Sequence, residues 1–272
     1  MSYLENLFGV SGKVALVTGG GTGIGFMVAS ALAHGGARVM ICSRKEAVVA
    51  EAAACLRAEV PGAQIDAFAG DVSSEEGVAA IADEVRARTG RLDILVNNAG
   101  ITWGEQLDRF PHRAWQKVMN VNVAGLFDLT RNLLPELKAS GAGNDPARVI
   151  NLGSVMGSTP IGDGAYSYAA SKAAVHHLTR ILAKELAPDQ ITVNAFAPGP
   201  FQSKMTEFAT GTEDKATRVG KNVPLGRIGA PDDIAGATLF LCSRAGSYVT
   251  GAILPLCGGI HVATGAGLFD LS

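Results

Sequence analysis

One stretch decides the fold of this chain: Lys13-Val14-Ala15-Leu16-Val17-Thr18-Gly19-Gly20-Gly21-Thr22-Gly23-Ile24-Gly25. Its apolar first half predicts a strand that is buried on both faces, as strands of parallel sheets are. A glycine-rich turn follows, and an apolar pattern of helical period continues through Leu32. Strand, glycine turn and helix in this order are typical of dinucleotide binding, because the backbone can approach a pyrophosphate at a helix N-terminus. The glycines at 19, 23 and 25 depart from the standard Gly-x-Gly-x-x-Gly spacing.

The rest of the chain repeats this alternation of strands and helices. Short apolar runs predict further strands at residues 37–42, 64–68, 93–97, 148–152, 191–196 and 249–256. Helical patterns separate them, including 46–59, 115–137 and a helix that begins at Pro231. About seven alternating strands predict an α/β fold, a single doubly wound (Rossmann) domain over residues 1–272 with a parallel sheet flanked by helices. Outside this pattern lie residues 200–222, predicted to be a substrate loop, and the C-terminal tail 260–272.

The composition argues against several classes of partner. Hydrophobic residues make up 47% of the 272 residues and charged ones 18%, with a net charge of -2. This balance predicts neither nucleic acid nor an anionic membrane as a partner. The absence of a signal pattern and of an apolar run of membrane-spanning length predicts a cytoplasmic protein. The four cysteines and five histidines are scattered, with His176 and His177 pointing apart on a helix, so no metal site is predicted.

The loop after the second predicted strand bears on the choice of cofactor. It reads Ser43-Arg44-Lys45 and has no acidic residue to accept hydrogen bonds from the ribose 2′-hydroxyl of NAD. The planar guanidinium of Arg44 suits a phosphate instead. We therefore expect NADP(H) in preference to NAD(H), and the alternative interpretation of Arg44 is a solvated loop charge.

Polar and small residues follow the other predicted strands, at the edge where open α/β sheets bind their ligands. They are Asp71-Val72 after the third strand, Asn98-Ala99-Gly100 after the fourth, Ser154 after the fifth and Pro198-Gly199 after the sixth. Asp71 is interpreted either as a helix cap or as an adenine contact. No Gly-x-Ser-x-Gly elbow surrounds Ser154, which argues against a hydrolase. Asn122 lies within a long helical pattern, where it either packs as a polar residue or marks a break that orders a water.

Tyr168-Ala169-Ala170-Ser171-Lys172 opens another predicted helix. Residues four apart lie on the same helix face, so the Tyr168 phenol and the Lys172 ammonium should be neighbours. A nearby cation lowers the pKa of a phenol from its ordinary value of about 10, which would make Tyr168 a usable general acid or base. The alternative is an exposed helix pair with no chemistry, since this spacing is common by chance. Tyr166 falls off the Lys172 face and is interpreted as a loop or substrate contact.

In this order and spacing, the motifs resemble those of the short-chain dehydrogenase/reductase family over nearly the whole chain. The resemblance rests on Thr18–Gly25, Asn97-Asn98-Ala99-Gly100, Asn122, Ser154, Tyr168-x-x-x-Lys172 and Pro198-Gly199. Within the family it is greatest for 3-oxoacyl reductases of the fatty-acid-synthesis and rhamnolipid-pathway type. It implies an NADPH-dependent carbonyl reductase for a ketone, a 3-oxoacyl thioester or another medium-sized apolar ketone. An NAD-dependent secondary-alcohol dehydrogenase is the alternative within enzymes, and a dinucleotide-sensing protein is the alternative outside them.

The resemblance also implies residue roles. Tyr168 would exchange a proton with the substrate oxygen, Lys172 would lower the pKa of that phenol and hold the ribose, and Ser154 would bind the same oxygen. Asn122 would position a water. Cofactor contacts are implied for Gly19, Gly21, Thr22, Gly23, Ile24, Gly25, Ser43, Arg44, Asp71, Val72, Asn98, Ala99, Gly100, Tyr168, Lys172, Pro198, Gly199 and Ser203. Family members usually form tetramers, so a homotetramer, or else a homodimer, is expected.

The chain departs from the family pattern at three positions. Asp189 stands where acyl-carrier-protein reductases tend to have arginine, and its charge should repel an acidic carrier protein. Ser203 replaces the usual threonine and keeps its hydroxyl. Cys257 replaces the common aspartate before Gly258-Gly259, where a subunit contact would change. An apolar substrate pocket is expected from Trp103, Met156, Ile161, Phe201, Met205 and Phe208.

Overall fold

The computed structural model describes residues 2–141 and 144–263. Seven parallel strands form one sheet in the order β3-β2-β1-β4-β5-β6-β7. Their bounds are β1 Val14–Thr18, β2 Arg38–Ser43, β3 Ile65–Ala69, β4 Ile94–Asn97, β5 Ala147–Leu152, β6 Ile191–Pro198 and β7 Ile253–Leu256. The strand order reverses between β1 and β4, which is the switch point where doubly wound sheets bind ligands. The predicted fold class is confirmed.

Helices cover both faces of this sheet. They are α1 Tyr3–Phe8, α2 Gly23–His34, α3 Glu46–Glu59, α4 Glu75–Arg88, α5 His112–Met119, α6 Gly125–Asn132, α7 Leu134–Ser140, α8 Tyr166–Leu186, α9 Glu207–Thr210, α10 Glu213–Gly220 and α11 Pro231–Cys242. Alternate residues of β1 point to opposite faces, so Ala15 and Val17 join the core under α2, α3 and α11. Leu16 joins the core under α4, α6 and α8.

A buried cation ties the last helix to the sheet. Arg148, at the start of β5, is fully buried, and its guanidinium donates hydrogen bonds to the carbonyl oxygens of Leu241 at 3.1 Å and Ser243 at 2.9 Å. It also donates to the Asp145 carboxylate at 2.9 Å. These bonds satisfy the carbonyl groups at the C-terminal end of α11, which would otherwise be orphaned in the core.

The structure corrects several details of the sequence interpretation. Residues 3–8, which precede the first predicted strand, form a helix capped by Ser2. Ser73-x-x-Glu76 has the spacing of a capping box, but the cap of α4 is Ser74, whose hydroxyl accepts from the Gly77 amide. The expected substrate loop 200–222 contains α9 and α10.

The long helix expected over 115–137 is also interrupted. It divides into α5, a π-helical turn at Asn120–Ala124, α6 and α7. Of the C-terminal tail, residues 260–262 form a 3₁₀ turn, and 264–272 lie outside the described residues. Within residues 2–141 and 144–263, no helix has both the length and the hydrophobicity to cross a membrane.

Candidate active site

The glycine turn between β1 and α2 forms one wall of the site. Gly19 and Gly23 have φ of 65° and 56°, a left-handed conformation that favours glycine. A Cβ on Gly25 would overlap the Gly19 carbonyl oxygen and the Asn98 amide, so α2 can only pack this closely with glycine there. The Thr22 side chain makes no capping hydrogen bond, and the first amides of α2 therefore point outward as anion donors.

Asn98, at the end of β4, holds this turn in place. Its side-chain amide donates to the Thr18 carbonyl oxygen at 2.9 Å and to the Gly19 carbonyl oxygen at 3.2 Å. The Thr18 hydroxyl in turn accepts from the main-chain amides of Asn98 and Ala99, each at 3.0 Å. The ends of two neighbouring strands are thus bonded reciprocally. The sequence motif includes Thr18 but assigned it no role. Its place as the last residue of a buried strand was the observation that could have indicated one.

Two adjoining cavities open along this edge of the sheet. The first, of about 250 Å³, is lined by Gly19, Thr22, Gly23, Ile24, Asn98, Ala99, Gly100, Ser154, Tyr168, Lys172, Pro198, Gly199 and Ser203, with Leu152, Gly153, Phe201, Met205 and Thr206. The second, of about 160 Å³, is lined by Ser43, Arg44, Asp71 and Val72 and shares Gly19, Ala99 and Gly100 with the first. The structure therefore brings together most of the residues that the sequence selected.

Three of the selected residues do not line either cavity. Gly21 lies against Val48, whose Cγ1 atom would be 2.9 Å from an added Cβ, and Gly25 serves close packing. Asn122 is buried behind Gly100. Among the apolar residues expected to form a substrate pocket, Phe201 and Met205 line the larger cavity, whereas Phe208 is 81% exposed.

Lys172 and Tyr168 share one face of α8, as the sequence predicted. The Lys172 ammonium lies 5.5 Å from the centre of the Tyr168 ring and donates a hydrogen bond to the Leu152 carbonyl oxygen at 2.6 Å. Lys172 is 5% exposed, and burial lowers its pKa from 10.5 to about 8.

The pKa of Tyr168 differs from the expectation. Burial of the phenol raises its pKa above the ordinary value, and the Ser154 side chain only partly offsets this. The sequence predicted a lowered pKa because it showed the neighbouring ammonium but not the removal of water around the phenol. In the cofactor-free protein, Tyr168 is therefore protonated at neutral pH.

Ser154 is placed by the chain that follows β5. Its hydroxyl accepts from the Met156 amide at 3.2 Å and caps a 3₁₀ turn at Val155–Gly157. The preceding amide, that of Gly153, donates to the Phe196 carbonyl oxygen of β6 at 2.8 Å. Because the Ser154 oxygen accepts from Met156, its hydroxyl proton can be donated to the Tyr168 phenol or to a ligand in the larger cavity.

Asn122 occupies the π-helical turn, and its side chain makes three hydrogen bonds. Its amide exchanges two hydrogen bonds with the main chain of Ile101, at 2.8 Å and 2.9 Å, and donates to the Ser171 hydroxyl at 3.0 Å. Ser171 donates to the Tyr168 carbonyl oxygen at 2.7 Å. Sequence reasoning missed this serine, which joins the π-helical turn to the start of α8.

A family model described as enoyl-(acyl carrier protein) reductase matches residues 19–261. The chain belongs to the short-chain dehydrogenase/reductase family. The rhamnolipids biosynthesis 3-oxoacyl-(acyl-carrier-protein) reductase of Pseudomonas aeruginosa is 43% identical over 255 residues, which are 94% of this chain and 98% of the relative. The galactitol 2-dehydrogenase (L-tagatose-forming) of Cereibacter sphaeroides is 41% identical over 263 residues, 96% of this chain and 100% of the relative. The solved Pseudomonas aeruginosa RhlG/NADP active-site complex superposes with a TM-score of 0.90 at 42% identity, covering 94% of this chain and 99% of that one.

As a short-chain dehydrogenase/reductase, the chain is an oxidoreductase, and its site fits the dinucleotide that such enzymes use. The fit of a dinucleotide concerns both the space in the site and the chemistry of its donors. The glycine turn provides a close backbone approach and outward amides for a pyrophosphate, and the second cavity extends from it past Ser43 and Arg44. The predicted class of enzyme is confirmed.

Proposed function

We propose that this chain is an NADPH-dependent carbonyl reductase that moves hydride between nicotinamide and a ketone or secondary alcohol. The observation that supports this most directly is the meeting of Tyr168, Lys172 and Ser154 in the cavity that also contains the glycine turn. A proton donor, a cation and a hydroxyl are thus grouped beside a dinucleotide-binding turn, as carbonyl reduction requires.

Tyr168 is the proton donor in this proposal. It protonates the carbonyl oxygen of the substrate, and the Ser154 hydroxyl donates a hydrogen bond to the same oxygen. Because burial favours the protonated phenol, the resting site holds the form that reduction consumes. The nicotinamide, when bound, supplies the hydride or accepts it in the reverse direction.

Lys172 and Asn122 support this donor. An ammonium has three N–H groups, and one of those of Lys172 is used by Leu152, so the others are available to the nicotinamide ribose and the phenol. The Asn122 side chain is occupied by Ile101 and Ser171. A water held by this residue would therefore bind the second lone pair of its Oδ1 atom, which lies beside Gly100 as the Lys172 ammonium does.

NADP(H) is the proposed cofactor, with the glycine turn on the pyrophosphate and the residues of the smaller cavity on the adenosine half. The proposed cofactor contacts are the individual residues, the first Gly19 and the last Ser203, that the family resemblance implies. Arg44 lies at the outer end of that cavity, where it would pair with a 2′-phosphate. Asp71 accepts a hydrogen bond from the Ser73 amide at 2.9 Å, which directs one of its carboxylate oxygens into its own loop. The NADP complex of RhlG supports the same choice.

The proposed substrate is an apolar ketone, with 3-oxoacyl thioesters included. Lys172 is the one charged side chain among the described residues that line the larger cavity, while Leu152, Phe201 and Met205 provide apolar walls. A sugar acid would find little there to bind its carboxylate beyond the catalytic lysine. The repulsion of a carrier protein by Asp189 is weaker than the sequence predicted, because Lys138 forms an ion pair with it at 2.8 Å.

The test is NADPH oxidation with acetoacetyl-CoA, acetophenone and cyclohexanone, and with crotonyl-CoA as a control for enoyl reduction. We expect turnover of at least one of the three ketones and its loss in Tyr168→Phe. Tyr248→Phe, an exposed tyrosine at the opposite edge of the sheet, is the matched control and should behave as wild type. Ketone-dependent oxidation that persists in Tyr168→Phe would contradict the proposal.

A secondary-alcohol dehydrogenase is the second candidate, because galactitol 2-dehydrogenase is 41% identical. Faster oxidation of galactitol with NAD than reduction of any ketone with NADPH would favour it. A dinucleotide-sensing protein would bind NADPH and turn over nothing.

We also propose a homotetramer, or else a homodimer, as the assembly. Phe127 on α6 and Ile181 on α8 are 40% and 46% exposed, and an open groove lined by Met119, Val123 and Leu178 lies on the same side. Exposed apolar residues grouped around a groove, here with Gln116, Lys117 and Asn120 among its lining, are typical of a subunit contact. Light scattering would give the mass. The cytoplasmic location stays a prediction.

A further inference from the structure

His176 is a buried histidine that the proposed reaction does not use. It lies on α8 one turn beyond Lys172 and is 4% exposed, whereas the adjacent His177 is exposed. Its Nδ1 atom is 3.1 Å from the Ser158 hydroxyl. Its Nε2 atom is buried and has no hydrogen-bond partner among the described residues. A buried, half-satisfied imidazole is costly, so its position calls for a physical reason.

The imidazole ring lies against the chain that holds Ser154. A Cβ added to Gly153 would overlap the Nε2 atom and lie 2.6 Å from Cδ2, and one added to Gly157 would lie 2.8 Å from Cε1. Gly153 directly precedes Ser154, and Gly157 is the last residue of the turn that Ser154 caps. The Phe196 carbonyl oxygen at Gly153 and the Lys172 carbonyl at Gly157 are also within 3.0 Å of an added Cβ, so the ring and the backbone together leave no room for a side chain.

The segment 153–157 is also held by β6 of the sheet and by the backbone of α8. The Gly153 amide donates to Phe196 of β6, and the Gly157 backbone lies close to the Lys172 carbonyl. The segment 153–157 is therefore clamped between β6, α8 and the ring of His176. At the Gly157 end the segment meets the backbone of α8 directly, whereas at the Gly153 end it meets the ring. The ring therefore sets how far Gly153 stands from α8, and hence where the adjacent Ser154 hydroxyl lies relative to the Tyr168 phenol.

The ring is neutral in this position. Burial and the cations of Arg180 and Lys172, on the same helix, lower its pKa from 6.5 to about 4. With a proton on Nδ1, the ring donates to the Ser158 hydroxyl, and the lone pair of Nε2 faces Gly153. This tautomer leaves a buried acceptor rather than a buried N–H group without a partner.

We propose that His176 is a positioning residue that holds the Ser154 segment at the distance from α8 at which Ser154 and Tyr168 can bind one carbonyl oxygen. The inference rests on the proposed function, since it assigns a purpose to that alignment. The structural part, the support of residues 153–157, does not depend on turnover.

The first test is hydrogen–deuterium exchange of the cofactor-free protein. His176→Ala should speed the exchange of amides in residues 153–158, and His177→Ala, the matched control on the same helix, should not. The effect should be confined to this segment if the ring acts as a local support. Unchanged exchange in residues 153–158, or an equal increase over the whole chain, would overturn the inference.

The second test is a double-mutant cycle with Ser154→Ala, using whichever of the three ketones wild type reduces fastest. A misplacement of about 1 Å costs up to roughly a hundredfold in rate, so His176→Ala should lower kcat by about tenfold or more. In the Ser154→Ala background the further loss should be less than about twofold, because the group that His176 positions is already gone. The Kd for NADPH, from fluorescence titration, should stay within about twofold in all variants.

Failure of the proposed function and failure of the positioning role of His176 give different results. Wild type that oxidises no NADPH with any ketone refutes the proposed function, and the exchange experiment still decides the role of His176. Equal losses of kcat in both backgrounds refute the positioning role alone. If His176→Ala does not fold, His176→Asn replaces it in both tests. This variant keeps a polar group towards Ser158 but leaves the space beside Gly153 unfilled, so it should show the same pattern more weakly.

Discussion

Replacing Lys172 by Met should stabilise the cofactor-free protein. The pKa of the buried ammonium is about 8 instead of 10.5, and each pKa unit corresponds to about 1.4 kcal/mol, so at pH 7 its charge destabilises the fold by about 3 kcal/mol. The hydrogen bond to Leu152 offsets about 1 kcal/mol of the gain from removing it. The expected net stabilisation is about 2 kcal/mol, or roughly 4–8 °C in Tm.

The sign of the pH dependence separates this effect from better packing. The folded-state pKa of Lys172 lies below the unfolded value, so the unfolded chain binds more protons between pH 8 and 10.5. Wild type therefore gains stability as the pH rises through this window, and Lys172→Met does not. The advantage of the variant should shrink by about 2 kcal/mol between pH 7 and pH 9.5.

Urea unfolding of both proteins without cofactor, at these two pH values, is the measurement. Lys184→Met is the control, because Lys184 is an exposed lysine on the same helix and should show neither effect. A variant less stable than wild type at pH 7 would refute the reasoning, as would a difference in stability that does not change with pH. A stabilised but inactive variant would show that the fold is strained for the sake of its site.

Three further predictions concern the cofactor site and the core. Arg44→Asp should raise the KM for NADPH by about tenfold or more and lower the KM for NADH. If the ratio of the two KM values does not change, Arg44 does not determine the preference between the two cofactors. Arg148→Met should lower the free energy of unfolding by about 3–5 kcal/mol in urea titrations, because it leaves buried carbonyls unpaired, and a loss below about 1 kcal/mol would contradict this. A Cβ on Gly125 would overlap the Val72 carbonyl oxygen beside the smaller cavity. Gly125→Ala should therefore weaken NADPH binding in fluorescence titrations, whereas Gly236→Ala, which meets nothing within 4 Å in α11, should not.

The fold could be predicted because its signals are local. Each strand of the sheet is a short apolar run, and helical patterns separate most of these runs, so β1 to β7 could be placed from the chain alone. Ser154 and Tyr168 could be brought together for a related reason, since the carboxyl ends of parallel strands share one edge of the sheet. The helix-face spacing of Tyr168 and Lys172 needed nothing beyond helix geometry.

What could not be predicted depends on contacts between distant segments. The π-helical turn at Asn120–Ala124 is stabilised by Asn122 bonding to Ile101 and Ser171, residues that the sequence does not place beside it. The contact of the His176 ring with Gly153 and Gly157 joins segments about 20 residues apart, and no local pattern shows that the ring, β6 and α8 leave no room for a Cβ there. Lys138 likewise pairs with Asp189 across a gap in sequence that no local pattern shows.

The pKa of Tyr168 is the instructive error, because the sign of the effect changed and not only its size. Adjacency to Lys172 favours the phenolate, but burial disfavours every charge in the same place, and it also drives the pKa of Lys172 down to about 8. Both groups of the pair are thus displaced towards their neutral forms. For an exposed helix pair the neighbouring ammonium would decide the sign of the shift, whereas for this pair the loss of water around both groups decides it.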